Sequence, residues 1–257
     1  MKSSKPAGFP RRNFFHLLAA LGVLTAFAWT SDGSAAETTG TVPAKVIRVA
    51  CVGDSITYGA GIKNRRVDSY PAVLGRWLGN GWDVRNFGVS GATLLKKGDR
   101  PYFRQKAHGN ALAFAPDIVV IMLGTNDSKH RGPGSLGAEH AVDNWQYKAD
   151  YVPDYEELIA EFRRANPRVK VYVCLPTPCF PGRWGINNQT IHDEIIPLVR
   201  QVAKDSNAGI IDLNTALAGK KNLLPDTVHP NPAGARLMAA TIYLALTGKP
   251  APAETRF

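Results

Sequence analysis

Cysteine is scarce in this sequence, with three residues among 257. Cys51, Cys174 and Cys179 cannot form a complete disulfide framework, and no two of them stand in a Cys-x-x-Cys metal or redox pair. Cys51 lies in a predicted strand, where a free thiol packs as a small core side chain. A bridge between Cys174 and Cys179 stays open at this point.

Long apolar runs are lacking after the first 36 residues. The N-terminus carries basic residues, one apolar run and a small-residue tripeptide: Lys2, Lys5, Arg11 and Arg12, then 17–29, then 34–36. The run would form a helix of about 20 Å, which is shorter than the hydrocarbon core of about 30 Å. We predict a cleavable signal peptide at residues 1–36, of Sec or twin-arginine type. The predicted destination is periplasmic or extracellular, with no stable membrane insertion after cleavage.

Acidic residues are outnumbered, with 21 Asp and Glu against 31 Lys and Arg, giving a formal charge of +10. Residues 1–36 hold four basic side chains and one acidic side chain, so +7 remains after the predicted cleavage. No dense stripe of Lys and Arg alternates with aromatic residues, so the charge indicates a solvated surface. Nucleic acid is therefore not an expected partner.

Several catalytic and nucleotide-binding motifs are absent. The segment 88–92 (Gly-Val-Ser-Gly-Ala) lacks the final glycine of the nucleophile elbow of ordinary α/β-hydrolases. The segment 59–64 ends in Asn64, so it does not match a dinucleotide fingerprint, and there is no Walker loop or His-Glu-x-x-His motif. We therefore predict no cofactor and no metal.

Five apolar runs bounded by turn residues alternate with helical patterns. The runs are 46–52, 83–87, 118–123, 169–175 and 209–213, and the helical patterns are 70–78, 102–114, 152–165, 191–206 and 232–246. Their length and Val/Ile content suit strands buried on both faces, so the alternation predicts an α/β domain with a parallel sheet covered on both sides. We place this domain at 46–248, after a linker at 37–45 and before a tail at 249–257.

A serine follows the first predicted strand, and a histidine lies in the loop before the last predicted helix. Ser55 follows the first strand, and His229 precedes the last helix with Asp226 three residues upstream. Imidazole can accept the serine proton, and a carboxylate can hold the ring in the required tautomer. Taken singly, the serine is more typical of a helix cap or turn, and the aspartate is equally typical of a turn. Together they predict a nucleophile, its general base and the partner of that base.

Two further strand ends offer hydrogen-bond donors for an oxyanion. Gly91 allows close backbone approach through its N–H, and the side-chain amide of Asn126 supplies another N–H. Each residue is also typical of ordinary turns and caps. Because catalytic groups gather outside the carboxyl ends of parallel strands, we expect these segments to meet Ser55 at one edge of the sheet.

The ordered blocks Gly53-Asp54-Ser55-Ile56-Thr57, Gly91, Gly124-Thr125-Asn126-Asp127 and Asp226-x-x-His229 resemble the SGNH hydrolases, also called GDSL esterases. The resemblance covers about residues 46–246 and implies a three-layer α/β/α flavodoxin-like fold with a five-stranded parallel sheet. It implies Ser55 as nucleophile, His229 as base and Asp226 as its partner. It also implies an oxyanion hole of the Ser55 N–H, the Gly91 N–H and the Asn126 side chain. Asp54 and Asp127 match residues that support the loops.

The longer stretches 86–93 and 185–187 are similar to bacterial members labelled sialate O-acetylesterase. We therefore expect a serine esterase acting on short-chain, acetyl-type esters of carbohydrates or other small molecules through a covalent acyl-enzyme. The segment 183–187 is a candidate for the mouth of the site. Aromatic residues scattered near predicted loops could provide platforms for a sugar, although such positions are more typical of core or rim packing: Trp82, Trp145, Trp184, Tyr102 and Tyr151. A lysophospholipase or thioesterase on the same scaffold, or a non-catalytic glycan-binding protein, remains an alternative.

Overall fold

The computed structural model describes residues 45–253. The predicted signal peptide at 1–36 lies outside these residues, as do most of the linker at 37–45 and the end of the tail. Those boundaries therefore stay predictions. Within residues 45–253, no helix combines the length and the apolar character that a membrane crossing requires.

A five-stranded parallel sheet forms the centre of the domain, with strand order β2-β1-β3-β5-β7. Its strands are β1 (Ile47–Gly53), β2 (Trp82–Gly88), β3 (Ile118–Met122), β5 (Lys170–Leu175) and β7 (Gly209–Asp212). β1 and β3 have apolar residues on both faces, because helices cover both sides. The predicted fold class is confirmed, with strand ends shifted by at most one residue.

Helices pack on both faces of this sheet. Their bounds are α1 (Ser55–Tyr58), α2 (Arg65–Asp68), α3 (Tyr70–Leu78), α4 (Lys106–Ala113), α5 (Tyr151–Ala165), α6 (Asn188–Thr190), α7 (Ile196–Asp205), α8 (Leu213–Leu217) and α9 (Pro232–Thr247). Alternate residues of β1 face opposite layers, because side chains of a strand alternate. Ala50 and Val52 join the core under α4, α5 and α7, while Val49 and Cys51 join the core under α3, α8 and α9.

Two predicted helices are interrupted. The 102–114 pattern divides into a 3-10 turn (Tyr102–Arg104) and α4, because Gln105 between them has extended backbone. The 191–206 pattern begins with a π-helical turn (Ile191–Ile195) before α7. Short 3-10 turns also occur at Ala138–His140, Trp145–Asp150 and Lys221–Leu223.

Two short strands form a separate parallel pair, β4 (Ser135–Leu136) with β6 (Gly182–Arg183). They belong to the long segments that follow β3 and β5, and this pairing ties the two segments together. The neighbouring Cys179 is a buried free thiol, as are Cys51 and Cys174. The possible bridge between Cys174 and Cys179 is therefore not formed.

Candidate active site

Ser55 begins the short helix α1, immediately beyond the carboxyl end of β1. Asp54 caps this helix by accepting a hydrogen bond from the Ile56 N–H at 2.9 Å. The abrupt change from strand to helix brings the Ser55 side chain to the sheet edge, where it is 8% exposed. The Ser55 side chain is therefore slightly accessible to solvent, although the turn around it is buried.

His229 and Asp226 complete a chain of hydrogen bonds with Ser55. The Ser55 Oγ and the His229 Nε2 are 2.9 Å apart, and the His229 Nδ1 lies 2.7 Å from the Asp226 Oδ2. Burial disfavours ionisation of Asp226, but hydrogen bonds from His229 and from the Val228 N–H outweigh it and hold the pKa of this carboxyl below its usual value. An ionised Asp226 fixes the proton of the ring on Nδ1, so Nε2 is free to accept the serine proton.

The loop that carries His229 is held tightly by backbone hydrogen bonds. The Asp226 Oδ1 accepts from the Val228 N–H at 3.0 Å and from the His229 N–H at 2.7 Å. Thr227 adopts a left-handed backbone (φ 77°), its N–H donates to Leu224 at 2.8 Å, and its carbonyl accepts from Phe180 at 2.9 Å. A threonine in this conformation is strained, so the surrounding bonds must impose it. They fix the angle at which the imidazole meets Ser55.

Gly91 and Asn126 lie on the other side of Ser55. These residues, Ser55 and His229 line one cavity of about 290 Å³. Gly91 has a φ of 79°, a left-handed backbone conformation that favours glycine. The Asn126 Nδ2 donates to the Ala92 carbonyl at 3.1 Å, which uses one of its two hydrogens and leaves the second for a ligand. Asp226 stands behind His229 and does not line the cavity.

Removing the Asn126 amide is expected to lower kcat by about 100- to 1,000-fold, which is the usual cost of one lost oxyanion donor. Hydrolysis of p-nitrophenyl acetate by Asn126→Ala measures this loss. Asn110→Ala, on the exposed side of α4, is the matched control and should retain wild-type kcat. Equal rates for Asn126→Ala and wild type would contradict the predicted role of Asn126 as an oxyanion donor.

Two buried carboxylates support the loops around the cavity, as the resemblance implied. The Asp127 carboxylate accepts from the Leu94 N–H at 3.0 Å and from the Leu95 N–H at 2.8 Å. Asp54 has one oxygen on the Ile56 N–H and the other without a hydrogen-bond partner. Burial raises the pKa of Asp54 to about 6 and the pKa of Asp127 to about 7. Both groups are therefore stable as acids rather than as anions in mildly acidic solution.

This burial makes the fold less stable as the pH rises. Asp127 has a pKa of about 7 in the folded chain against an ordinary 3.8, so the folded state binds the extra proton between these values. The Asp127 contribution to the free energy of unfolding is full below about pH 4 and is lost as the pH rises through about 7. Urea unfolding from pH 4 to pH 8 should show a smaller decrease in Asp127→Asn than in wild type. Asp205→Asn, at the exposed end of α7, should keep the wild-type decrease. A full decrease in Asp127→Asn would contradict this assignment.

Five further residues line the cavity: Ala60, Ser90, Lys129, Trp184 and Ile186. Trp184 and Ile186 belong to the segment expected at the mouth. The Trp184 ring lies 5.7 Å from the His229 ring, and the Arg183 guanidinium lies 5.0 Å from the Trp184 ring. Lys129 was missed, although it follows the Gly124–Asp127 block by two residues; its Nζ is 3.2 Å from Asp99.

The other aromatic residues considered as sugar platforms lie elsewhere. Tyr102, Tyr151 and Trp145 are buried in the core under α4, α5 and α7, and Trp82 packs against the opposite core. Trp184 is 47% exposed, so it alone of these five presents a large ring to a substrate at the cavity. Over residues 45–253, no group of three or more His, Cys, Asp or Glu side chains is placed to hold a metal ion.

Comparison with known proteins gives one relative that is similar in sequence and two structures that are similar in fold. An acetylxylan esterase of Xylanibacter ruminicola is 42% identical over 218 residues, which cover 78% of this chain and 43% of that protein. This chain thus spans less than half the length of that relative. A crystal structure of an acetyl xylan esterase matches with a TM-score of 0.60 at 22% identity, over 78% of this chain and 100% of that chain. A carbohydrate acetylesterase from Sinorhizobium meliloti matches with a TM-score of 0.60 at 19% identity, over 79% and 99%.

These two structural matches, at low sequence identity, concern the fold. The sequence of residues 51–237 matches the model of the family of GDSL-like lipases and acylhydrolases. This range contains Ser55, Gly91, Asn126, Asp226 and His229. The family predicted from the ordered blocks is confirmed. The chain therefore belongs to the GDSL-like lipase/acylhydrolase family, a family of carboxylic ester hydrolases.

Proposed function

We propose that this protein removes acetyl groups from carbohydrates, with Ser55 as nucleophile and a covalent acyl-enzyme as intermediate. The observation that carries the proposal is the unbroken chain of hydrogen bonds from Ser55 through His229 to Asp226, with contacts of 2.9 and 2.7 Å. A serine hydroxyl is a weak nucleophile at neutral pH, and contact with a neutral imidazole at this distance is what activates it.

The reaction follows from the positions of these groups. The Ser55 Oγ attacks the acyl carbon while the His229 Nε2 takes its proton, and Asp226 stabilises the imidazolium that results. The oxyanion accepts hydrogen bonds from the Ser55 N–H, the Gly91 N–H and the Asn126 amide. Collapse of this intermediate releases the alcohol, which receives its proton from His229. Water then attacks the acyl group by the same route and frees acetate.

The size and walls of the cavity support a short acyl group. Its volume of about 290 Å³ is shared by the acyl group and the adjoining part of the alcohol. Ile186, 3% exposed, is an apolar wall of the cavity, and the exposed Trp184 ring beside His229 offers an apolar face to the alcohol. Sugar rings present C–H groups that pack on aromatic faces. The names of the relatives, acetylxylan esterase and carbohydrate acetylesterase, agree with this choice.

Acetate release tests the proposed substrate. We expect the purified protein to release acetate from acetylated xylan, acetylated pectin fragments or acetylated sialosides, and to hydrolyse p-nitrophenyl acetate faster than the octanoate and palmitate esters. Heat-inactivated protein is the control for spontaneous release. A preference for long-chain esters, lysophospholipids or thioesters would instead support the alternative hydrolase activities.

We also propose that the protein acts outside the cytoplasm, on the basis of residues 1–36. The basic residues, the apolar run and Ser34-Ala35-Ala36 together have the order of a cleavable export signal. N-terminal sequencing of the protein from fractionated cells should give a mature chain that begins at Glu37. Recovery of uncleaved chain from the cytoplasmic fraction alone would contradict export.

A further inference from the structure

A second cavity, larger than the catalytic one, opens beside α1. Its volume is about 430 Å³, and its walls include Tyr58, Arg65, Arg66, Ser69, Asn86 and Gly88. We call it the arginine pocket. No step of the proposed hydrolysis uses it, yet it lies next to the catalytic cavity, because α1 contributes a residue to each.

The two cavities share α1 and lie on either side of the end of β2. Ser55 opens α1 in the catalytic cavity, and Tyr58 closes the same helix in the arginine pocket. Three residues of helix span about 5 Å along its axis. Gly88 lines one cavity and Gly91 the other, and a Cβ on Gly88 would lie 2.2 Å from the Tyr58 nitrogen. The backbones of Gly88 and Tyr58 therefore pack into a thin wall between the two cavities, which lie about one helical turn apart along α1.

The arginine pocket carries positive charge without a compensating acid. Arg65 and Arg66 are exposed, no Asp or Glu lines the cavity, and neither arginine makes an ion pair with any residue in 45–253. The neighbouring Asp68 is 3.5 Å from Arg236 instead. The Arg65 guanidinium stands 4.2 Å from the centre of the Tyr58 ring, which limits its motion. Two guanidinium groups are thus available to an anion.

The remaining walls are rigid and suit a sugar ring. The Asn86 Nδ2 donates to the Thr57 carbonyl at 2.7 Å, and its Oδ1 accepts from the Gly88 N–H at 2.9 Å, so this side chain braces the wall. Pro71 and Val84 add apolar surface. Guanidinium groups match the geometry of carboxylates through paired N–H donors.

We propose that the arginine pocket binds a carboxylate-bearing sugar, a uronic acid, carried on the alcohol part of the ester. The inference rests on the proposed function, because only a substrate anchored at Ser55 brings its neighbouring sugar to this cavity. The enzyme would then prefer acetyl groups close to an acidic branch of a polysaccharide over acetyl groups on an uncharged stretch.

A pair of acetylated xylo-oligosaccharides, identical except for one uronic acid branch, tests this preference. The measured quantity is the ratio of kcat/KM for the acidic substrate to kcat/KM for the neutral one, so a general loss of activity cancels. We expect a ratio of about 10 for wild type, which is the size of effect that hydrogen bonds between charged groups produce. The ratio should decrease with added salt, because salt screens the attraction between guanidinium and carboxylate. Arg66→Gln and Arg65→Gln should each reduce the ratio at least about threefold, and Arg66→Lys should reduce it less.

Arg168→Gln is the matched control, because it removes an exposed arginine before the amino end of β5 and should keep the wild-type ratio. If wild type releases acetate from both substrates with a ratio near one, the arginine pocket does not bind the uronic acid, and the proposed function is unaffected. An unchanged ratio in both Arg65→Gln and Arg66→Gln would also contradict uronic acid binding in the arginine pocket. Inhibition by inorganic phosphate without inhibition by free glucuronate would contradict it as well. Absence of acetate release from both substrates would instead refute the proposed function, and this inference with it.

Discussion

Replacing Ser55 by alanine is expected to lower kcat for p-nitrophenyl acetate by about a million-fold. The substitution removes the attacking oxygen, while the His229–Asp226 contact of 2.7 Å and the donors at Gly91 and Asn126 stay in place. Any residual rate then reflects stabilisation of the oxyanion alone. Because Ser55 makes its side-chain contact with His229 at the surface of a cavity, the thermal unfolding midpoint should change little.

Ser90→Ala provides the comparison for this loss. Ser90 lines the same cavity but has no hydrogen bond to His229, so its replacement should reduce kcat by less than about tenfold. A fluorophosphonate probe should label wild type and Ser90→Ala on Ser55 and should not label Ser55→Ala. Undiminished turnover by Ser55→Ala would refute the proposed nucleophile, and an unlabelled, inactive wild type would favour the non-catalytic glycan-binding alternative.

Asp226→Asn is expected to reduce kcat by about ten-thousand-fold, although it changes few atoms. Asparagine can keep an oxygen on the Val228 and His229 N–H groups, which hold the loop at 3.0 and 2.7 Å. Its amide nitrogen then faces the ring at Nδ1, where it favours the tautomer with the proton on Nε2. That proton points at Ser55, so His229 can no longer accept from the hydroxyl.

Asp212→Asn is a suitable control for this substitution. Asp212 ends β7 and, like Asp226, accepts a hydrogen bond from a backbone N–H three residues later, that of Thr215 at 2.8 Å, and asparagine can keep that cap. We expect near wild-type kcat for Asp212→Asn, with unchanged circular dichroism in both variants. Wild-type turnover by Asp226→Asn would assign Asp226 to the turn alone, the alternative left open by the sequence.

The sheet could be predicted from the sequence because each strand is a short apolar run with turn residues at both ends. Ser55, Asn126 and the Gly91 segment follow such runs, and parallel strands bring their carboxyl ends together. The helix interruptions at Gln105 and at Ile191–Ile195 could not be predicted, because tertiary packing overrides a helical apolar pattern there.

The residues that line the two cavities were harder to predict than the proposed nucleophile, base and oxyanion donors. Trp184 reaches the catalytic cavity through the pairing of β4 with β6 and a left-handed backbone (φ 57°), and neither follows from local sequence. The arginine pocket requires Arg65 and Arg66 to lie across from Asn86 on β2, about twenty residues away in sequence. Such contacts depend on how α2 and α3 dock on the edge strand.

The proposed nucleophile and base are separated by 174 residues along the chain. A ribosome therefore completes β1, β2, β3, β5 and β7 before it adds the imidazole, and α9 must still dock beside α3 to hold the preceding loop. Partly synthesised chains that stop before His229 carry a serine without its proton acceptor. On the proposed mechanism, hydrolysis therefore requires the fully assembled molecule, and a colorimetric assay would measure the fraction of correctly folded protein during expression or refolding.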